Sequence, residues 1–264
     1  MPRRSGRITV ETIAAESAKF TAPLLCVHGL WCTAAVWRRF MGYCAHRGWT
    51  CHAVSLRGRA DRDAPAAVAA VRFADYLDDV REAIAACPTP PVVVGHDVGG
   101  LLALYAGATA RAIVALAPWV PAALAASATR TRIGWAARVA AVRSRPLPVP
   151  RGQLATRYFA SGPPGGATAD SSTLVRELAR QDFSLPARCG VPALVIAGER
   201  DVLSPPAAVE VLARRVGAEC QVAAGAGHAI PWEPGWEQQV GVVHRWLVRT
   251  LGEPLLLERE DDEE

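Results

Sequence analysis

The sequence predicts an α/β protein whose mainly parallel, twisted sheet carries helices on both faces. Three observations lead to this fold class. Short runs that are apolar throughout alternate with longer segments of helical periodicity. Runs of that kind are typical of strands buried on both faces, as in a parallel sheet between two helical layers. The 264 residues are 51% hydrophobic and 20% charged, which allows a sizeable core and excludes disorder as the main state.

The amino-terminal part supplies the first alternations. Residues 24–27 are a short, wholly apolar run and predict a buried strand, residues 34–47 predict a helix, and residues 51–55 predict a second strand. In the next helix the apolar residues recur every three or four positions, so they share one face. These residues are Phe73, Leu77, Val80 and Ile84.

The later elements continue the pattern. Residues 91–95 and 112–117 predict buried strands on either side of an apolar helix at 99–110. Residues 193–197 predict the next strand, and residues 220–223 a weaker one. Residues 205–216 predict another helix. The last helix is predicted from apolar residues that share one face. That face consists of Trp236, Val240, Val243, Leu247 and Leu251.

The block from Trp119 to about Arg188 interrupts the alternation. It is helical in parts, and its prolines mark loops, so we interpret it as a short helical cap inserted over the carboxyl edge of the sheet. Residues 1–257 then form one domain that includes this cap at about 119–188. Residues 258–264 contain six acids and one arginine, a net charge of −5, and are expected to be a disordered tail.

Charge and cysteine content limit the partners. The formal net charge is +4, which does not demand a nucleic-acid partner. The seven cysteines are odd in number and lack C-x-x-C spacing, so neither a disulfide framework nor a metal site is expected and a cytoplasmic location is favoured. No apolar segment follows the basic start, and the long uncharged stretch at 112–129 contains prolines, so no signal peptide and no membrane insertion are expected.

A tight turn carries the first candidate catalytic residue. The sequence Gly95-His96-Asp97-Val98-Gly99-Gly100 joins a predicted strand to a predicted helix, and small residues suit a turn that presents its central side chain. That position holds Asp97, where the usual pattern has serine. A carboxylate has a reference pKa of about 4, so it is ionised at neutral pH and needs no base to become a nucleophile.

Three further segments complete the candidate site. Asp201 follows the strand at 193–197, and His228 lies in a loop after the next strand. The order nucleophile, acid, histidine is typical of one large class of hydrolases. The sequence His28-Gly29-Leu30-Trp31 follows the first strand, where a backbone N–H of Leu30, together with that of Val98, is a candidate oxyanion hole.

These motifs resemble the α/β-hydrolase superfamily over about residues 24–251. The resemblance implies the α/β-hydrolase fold, with an eight-stranded, mainly parallel sheet and a catalytic site under the cap. It also implies that Asp97, Asp201 and His228 form a catalytic triad. The aspartate in place of serine is similar to the branch of epoxide hydrolases and dehalogenases, although Val98 replaces the halide-binding tryptophan of haloalkane dehalogenases.

The resemblance implies a covalent mechanism. Asp97 would form an alkyl-enzyme ester with an epoxide or related small electrophile, and His228, oriented by Asp201, would activate the water that hydrolyses it. An epoxide oxygen needs a proton donor, for which Tyr158 is the cap candidate. A halide needs only N–H donors, and Trp31 could provide one. Tyr158, Trp31 and Trp119 are the expected substrate-binding residues.

Other interpretations stay open. The fold also allows ester, lactone or thioester hydrolysis, or acid–base chemistry in which Asp97 is a base. From another class, the chain could be a ligand-binding protein without turnover, in which Asp97 and Asp201 only cap helices. Tyr158 could be cap packing and Trp31 a pocket wall. In no case is a metal or organic cofactor implied.

The cap is unusually rich in arginine. No aspartate or glutamate occurs from Val98 to Ala169, whereas eight arginines do. The plain interpretation is a solvated helix face. The alternative is that the cap attracts a small-molecule substrate that is anionic or bound to an acidic carrier.

Overall fold

The computed structural model describes residues 3–4, 8–59, 65–124, 128–143, 145–160, 162–180 and 183–252. Within these ranges eight strands form one sheet, in the order β1-β2-β4-β3-β5-β6-β7-β8. The strands are β1 (Arg3–Arg4), β2 (Thr9–Ile13), β3 (Leu24–Val27), β4 (Cys51–Ser55), β5 (Val92–His96), β6 (Ala112–Leu116), β7 (Ala193–Gly198) and β8 (Glu219–Ala223). The predicted tail at 258–264 lies outside the described residues.

The sheet is mainly parallel, as the sequence predicts. Six strands, β4-β3-β5-β6-β7-β8, run parallel to their neighbours, and β1 and β2 add an antiparallel edge beside β4. The sequence did not predict β2, because Thr9–Ile13 includes polar residues and is only half-buried. The central strands β3, β5 and β6 are wholly buried, and each large aliphatic side chain there contributes about 1.5–3 kcal/mol of hydrophobic stabilisation.

Eight α-helices accompany the sheet within the described ranges. They are α1 (Arg38–His46), α2 (Phe73–Ala85), α3 (Val98–Ala106), α4 (Ala128–Val142), α5 (Gly152–Phe159), α6 (Ser172–Leu178), α7 (Pro206–Val216) and α8 (Trp236–Leu251). The predicted helix at 34–47 is divided into a 3-10 turn and α1. The predicted helix at 99–110 ends at Ala106, followed by a 3-10 turn. None of these helices combines the length and the apolar character that crossing a bilayer requires.

The segment between β6 and β7 is the one that the sequence analysis interprets as a cap, and it keeps that name below. It comprises α4, α5 and α6, and α4 packs on α6. Below it, the loop after β4 is held by an ion pair in which the Arg57 guanidinium donates to buried Asp79 on α2 at 2.6 Å. All seven cysteines are unpaired thiols. The carboxyl edge of the parallel strands faces the cap, because Asp97, directly after β5, accepts the hydroxyl of Tyr158 on α5.

Candidate active site

Asp97 occupies a sharp turn between β5 and α3. Its backbone has φ 54° and ψ −120°, a conformation that L-residues rarely adopt and that costs about 1–3 kcal/mol. The turn also requires glycine on both sides. A Cβ at Gly95 would lie 2.2 Å from the carbonyl oxygen of Gly99, and one at Gly99 would lie 2.3 Å from that of Val27. Asp97 occupies the N-cap position of α3, but its side chain makes no capping hydrogen bond there, so capping does not account for its carboxylate.

Asp201 and His228 lie next to Asp97 and are buried with it. The His228 Nδ1 and an Asp201 carboxylate oxygen are 2.8 Å apart. The other Asp201 oxygen accepts the backbone N–H groups of Leu203 and Ser204 at 2.7 and 2.9 Å. On the far side of the ring, Nε2 lies 3.6 Å from Asp97 Oδ1. Asp201 thus fixes the ring, and it does not cap α7, whose cap position is Pro205.

The two carboxylate oxygens of Asp97 have different surroundings. Oδ2 accepts the backbone N–H of Leu30 at 3.0 Å and the hydroxyl of Tyr158. Oδ1 faces His228 and has no hydrogen-bond partner. Val98 begins α3, so its N–H is one of the first-turn groups that a helix cannot bond internally. One oxygen of the carboxylate is therefore anchored, and the other faces the histidine.

Opposite charges within the buried site shift one another's pKa values. Burial raises the pKa of Asp97, but the His228 ring, with smaller effects from His96 and Tyr158, outweighs it and lowers the value to about 2. Burial lowers the pKa of His228, but the charge of Asp201 and its hydrogen bond, followed by Asp97, raise the value to about 9. Asp201 likewise has a lowered pKa, although burial opposes the shift. At neutral pH the site holds two carboxylates around one imidazolium.

Of the predicted substrate-binding residues, Tyr158 and Trp31 pack together beside Asp97, and Trp119 contacts it through its backbone. The Tyr158 ring packs edge-on against Trp31 at 4.8 Å between ring centroids, and the backbone N–H of Trp119 donates to the Asp97 carbonyl at 2.9 Å. The indole N–H of Trp31 donates to the Leu147 carbonyl at 3.3 Å. It is turned toward the cap, so the expectation that Trp31 supplies an N–H to a halide at Asp97 is wrong in this structure.

Comparison with known proteins identifies the family. The family model described as the alpha/beta hydrolase family matches residues 24–242. The chain belongs to the alpha/beta hydrolase family. A search of curated proteins found no match.

Solved structures resemble this alpha/beta hydrolase in fold. A monoacylglycerol lipase from Paleococcus ferrophilus is 17% identical at a TM-score of 0.67, covering 92% of this chain and 99% of its own. A soluble variant of monoglyceride lipase from Saccharomyces cerevisiae is 14% identical at a TM-score of 0.71, and the match covers 95% of this chain and 94% of the lipase. A thermophilic esterase from Thermogutta terrifontis is 20% identical at a TM-score of 0.64, and the match covers 94% of this chain and 96% of the esterase. These lipases and this esterase do not support the epoxide hydrolase or dehalogenase branch in particular.

The sequence did not reveal one buried group of this hydrolase. Asp170, in the cap, accepts the backbone N–H of Trp31 at 2.6 Å and pairs with the buried guanidinium of Arg59, which also donates to the Tyr76 hydroxyl at 3.1 Å. Trp31 has a left-handed φ of 58°. Asp170 thus holds the strained loop that presents Leu30. The available signal was that Asp170 is the first acid after the acid-free stretch from Val98 to Ala169.

Neutral histidines and one glutamate support the site. Burial lowers the pKa of both His28 and His96 to about 4. His28 accepts the backbone N–H of Leu56 at 3.2 Å, and His96 Nε2 lies 2.8 Å from the His228 carbonyl oxygen. Glu233 accepts the Gly227 N–H at 2.8 Å beside His228. In the described part of the chain, no group of three or more potential ligands is arranged to hold a metal.

Proposed function

We propose that this alpha/beta hydrolase hydrolyses an epoxide or a related small electrophile through an alkyl-enzyme ester on Asp97. One observation carries the proposal. Asp97 Oδ2 is held by the Leu30 N–H and the Tyr158 hydroxyl, while Oδ1 faces His228 without a hydrogen bond. This arrangement suits a carboxylate in which one oxygen attacks and the other later carries the oxyanion.

The first step uses the charge of Asp97. Oδ1 attacks a ring carbon of the epoxide, the carbon–oxygen bond of the ring breaks, and an ester with Asp97 forms. The alkoxide takes its proton from protonated His228, whose pKa of about 9 keeps it charged at neutral pH. Attack consumes the charge of Asp97, which is one of the groups that keep His228 protonated, so proton release by His228 and alkylation favour each other.

The second step uses the neutral imidazole. His228 removes a proton from water, and the hydroxide attacks the Asp97 carboxyl carbon. The negative charge then forms on Oδ2, where the Leu30 N–H and the Tyr158 hydroxyl already point. Collapse of this intermediate breaks the bond between the carboxyl carbon and the substrate oxygen, and that oxygen takes the proton of the newly added hydroxyl. A diol is released, and both the carboxylate and the imidazolium are restored. The oxygen added to the first product molecule comes from Asp97, and the water oxygen remains in the carboxylate.

The rival chemistries fit these contacts less well. In ester hydrolysis by a serine enzyme the substrate carbonyl oxygen occupies the oxyanion hole. Here the Leu30 N–H already donates to Oδ2 of Asp97. In acid–base chemistry the catalytic group works best with a pKa near the working pH, whereas that of Asp97 is about 2. Because the Trp31 indole N–H is bound to Leu147, an epoxide is favoured over a halide.

Access to Asp97 requires a side chain to move. Asp97 is 1% exposed, and Tyr158 and Trp31 are equally buried above it. A substrate that contacts Oδ1 must displace one of these side chains, so the structure corresponds to a closed state of the site.

The adduct itself provides the test. The variant His228→Gln keeps an N–H donor beside Oδ1 but cannot take a proton from water. It also lacks the imidazolium, so the alkoxide must take its proton from solvent; alkylation is slower, but the ester that forms is not hydrolysed. Incubation with styrene oxide as the probe should therefore leave a mass increase of one substrate on the peptide that contains Asp97. Asp97→Asn should show no adduct. In wild-type enzyme, a single turnover in ¹⁸O-labelled water should give unlabelled diol and labelled Asp97.

Two results would contradict the proposal. Label in the diol after the first turnover would show direct attack by water, with Asp97 acting as a base. Turnover by Asp97→Asn at the wild-type rate would exclude any role of the carboxylate as nucleophile.

A further inference from the structure

The cap contains a groove outside the catalytic centre. It lies between α4 and residues 145–154 and has a volume of about 770 Å³, within the range of about 300–1,000 Å³ that is usual for small-molecule sites. Most of its wall is apolar. The largest apolar side chains are Trp31, Ile133, Trp135, Val139, Leu147 and Leu154. The groove therefore suits the apolar part of a ligand.

Three arginines give the groove a positive charge. Arg143, Arg145 and Arg151 line it and are exposed. No aspartate or glutamate is among the described residues of its wall, and the sequence has none from Val98 to Ala169. Within the described part of the chain, these guanidinium groups form no ion pair with a carboxylate. Guanidinium groups beside an apolar surface recognise carboxylate and phosphate groups well, because they are weakly hydrated and donate in pairs.

A ring wall separates the groove from the triad. Trp31 lines the groove and packs edge-on against Tyr158, whose hydroxyl binds Asp97. The Trp31 indole N–H donates to the carbonyl of Leu147, another residue that lines the groove. A ligand in the groove would contact the outer side of this wall, so binding there needs no contact with Asp97.

We propose that the cap groove binds a single-chain amphiphile with an anionic head group. The chain lies along the apolar wall, and the carboxylate or phosphate head lies at the arginines. Trp135 is 69% exposed and Val139 36% exposed. An alkyl chain over these side chains removes apolar surface from water, and the head group neutralises the guanidinium groups.

The charge requirement is tested by calorimetric titration with decanoate, below its aggregation concentration, and with 1-decanol. We expect decanoate to bind at least tenfold more tightly than decanol, and its affinity to fall as salt rises. The double variant Arg143→Gln with Arg151→Gln should lower the affinity for decanoate at least tenfold and the affinity for decanol less than twofold. Arg138→Gln is the matched control, because Arg138 is exposed on α4 but outside the groove wall. It should change decanoate affinity less than twofold. Equal affinity for the two probes would overturn the proposal.

The location is tested by a second matched pair on α4. Val139→Asp puts a carboxylate in the groove wall and should abolish decanoate binding. Val142→Asp makes the same change at an 83% exposed position outside the wall and should have less than a twofold effect. Equal loss in both variants, or binding only to anionic phosphatidylglycerol vesicles, would indicate a membrane-facing surface and overturn the proposal. Asp97→Asn should bind decanoate like wild type, so this test is independent of turnover. Loss of binding in that variant would place the ligand at Asp97 and refute the groove.

Discussion

Replacement of Tyr158 by phenylalanine tests how the two steps of the proposed reaction differ. The Tyr158 hydroxyl donates to Asp97 Oδ2 and lies 3.3 Å from the Leu30 carbonyl oxygen. Phenylalanine keeps the ring and its edge-on contact with Trp31 and removes only the donor. In the resting enzyme this donor stabilises the charged carboxylate, and after alkylation the charge of Asp97 is absent until the oxyanion forms at Oδ2.

The magnitude follows from this change in charge. A hydrogen bond to a charged group contributes about 1.5–3 kcal/mol, so its loss raises the free energy of the resting carboxylate and does not slow alkylation. The loss of one oxyanion donor slows the step that forms the oxyanion by about 10²–10³, or about 2.7–4 kcal/mol. We therefore expect Tyr158→Phe to lower kcat about 100-fold and to make hydrolysis of the ester rate-limiting.

The assay is rapid quenching followed by intact mass spectrometry during turnover of the epoxide probe. Tyr158→Phe should accumulate the alkyl-enzyme, and wild type should show much less of it. Tyr105→Phe is a suitable control, since it removes a tyrosine hydroxyl that binds the Ser184 carbonyl outside the site. An unchanged kcat in Tyr158→Phe would show that Tyr158 serves only cap packing. Slower alkylation without adduct would show that it donates a proton to the substrate.

Three further predictions concern stability, measured as the free energy of unfolding in denaturant. Asp170→Asn leaves the Arg59 guanidinium buried without a carboxylate partner and should lower the free energy of unfolding by about 3–5 kcal/mol. Glu210→Gln, at an exposed ion pair, should lower it by at most about 1 kcal/mol. Similar losses in both variants would refute a structural role for the buried pair. Because the pKa of His228 is raised to about 9 in the folded protein, its protonated ring stabilises the fold. This stabilisation is complete below about pH 6.5, the pKa of histidine in the unfolded chain. Stability should thus decline as pH rises from about 6.5 through 9, and this decline should be weaker in His228→Gln. Gly99→Ala forces a Cβ to 2.3 Å from a β3 carbonyl oxygen and should prevent stable folding, whereas Gly42→Ala, in α1 with open space around it, should stabilise by up to about 1 kcal/mol; a folded Gly99→Ala protein with normal stability would contradict the tight turn.

Much of the sheet was predictable because its strands are apolar along their whole length. Residues 92–96 and 112–116 are buried on both faces, so their pattern needs no knowledge of their neighbours. The antiparallel strand at 9–13 was missed for the opposite reason. It is half-buried beside the two-residue edge strand β1, so its polar residues resemble those of a loop.

The positions of the site residues were predictable to a similar degree. Asp97, Asp201 and His228 each follow a parallel strand, and the carboxyl ends of parallel strands meet at one edge of a sheet. The structure brings the three together. The role of Asp170 was not predictable, because its contact with Trp31 joins residues 139 positions apart through a cap that has no regular pattern.

The amino-acid order alone determined the layered architecture, the tight glycine turn and the chemical types at its edge, since periodicity, backbone freedom and ionisation are local properties of the chain. Only tertiary packing decided which oxygen of Asp97 is anchored, which way the Trp31 indole N–H points and where the cap arginines gather around an apolar groove. Those features depend on distances of a few ångströms between segments far apart in sequence, and such distances are set by how the cap packs on the sheet.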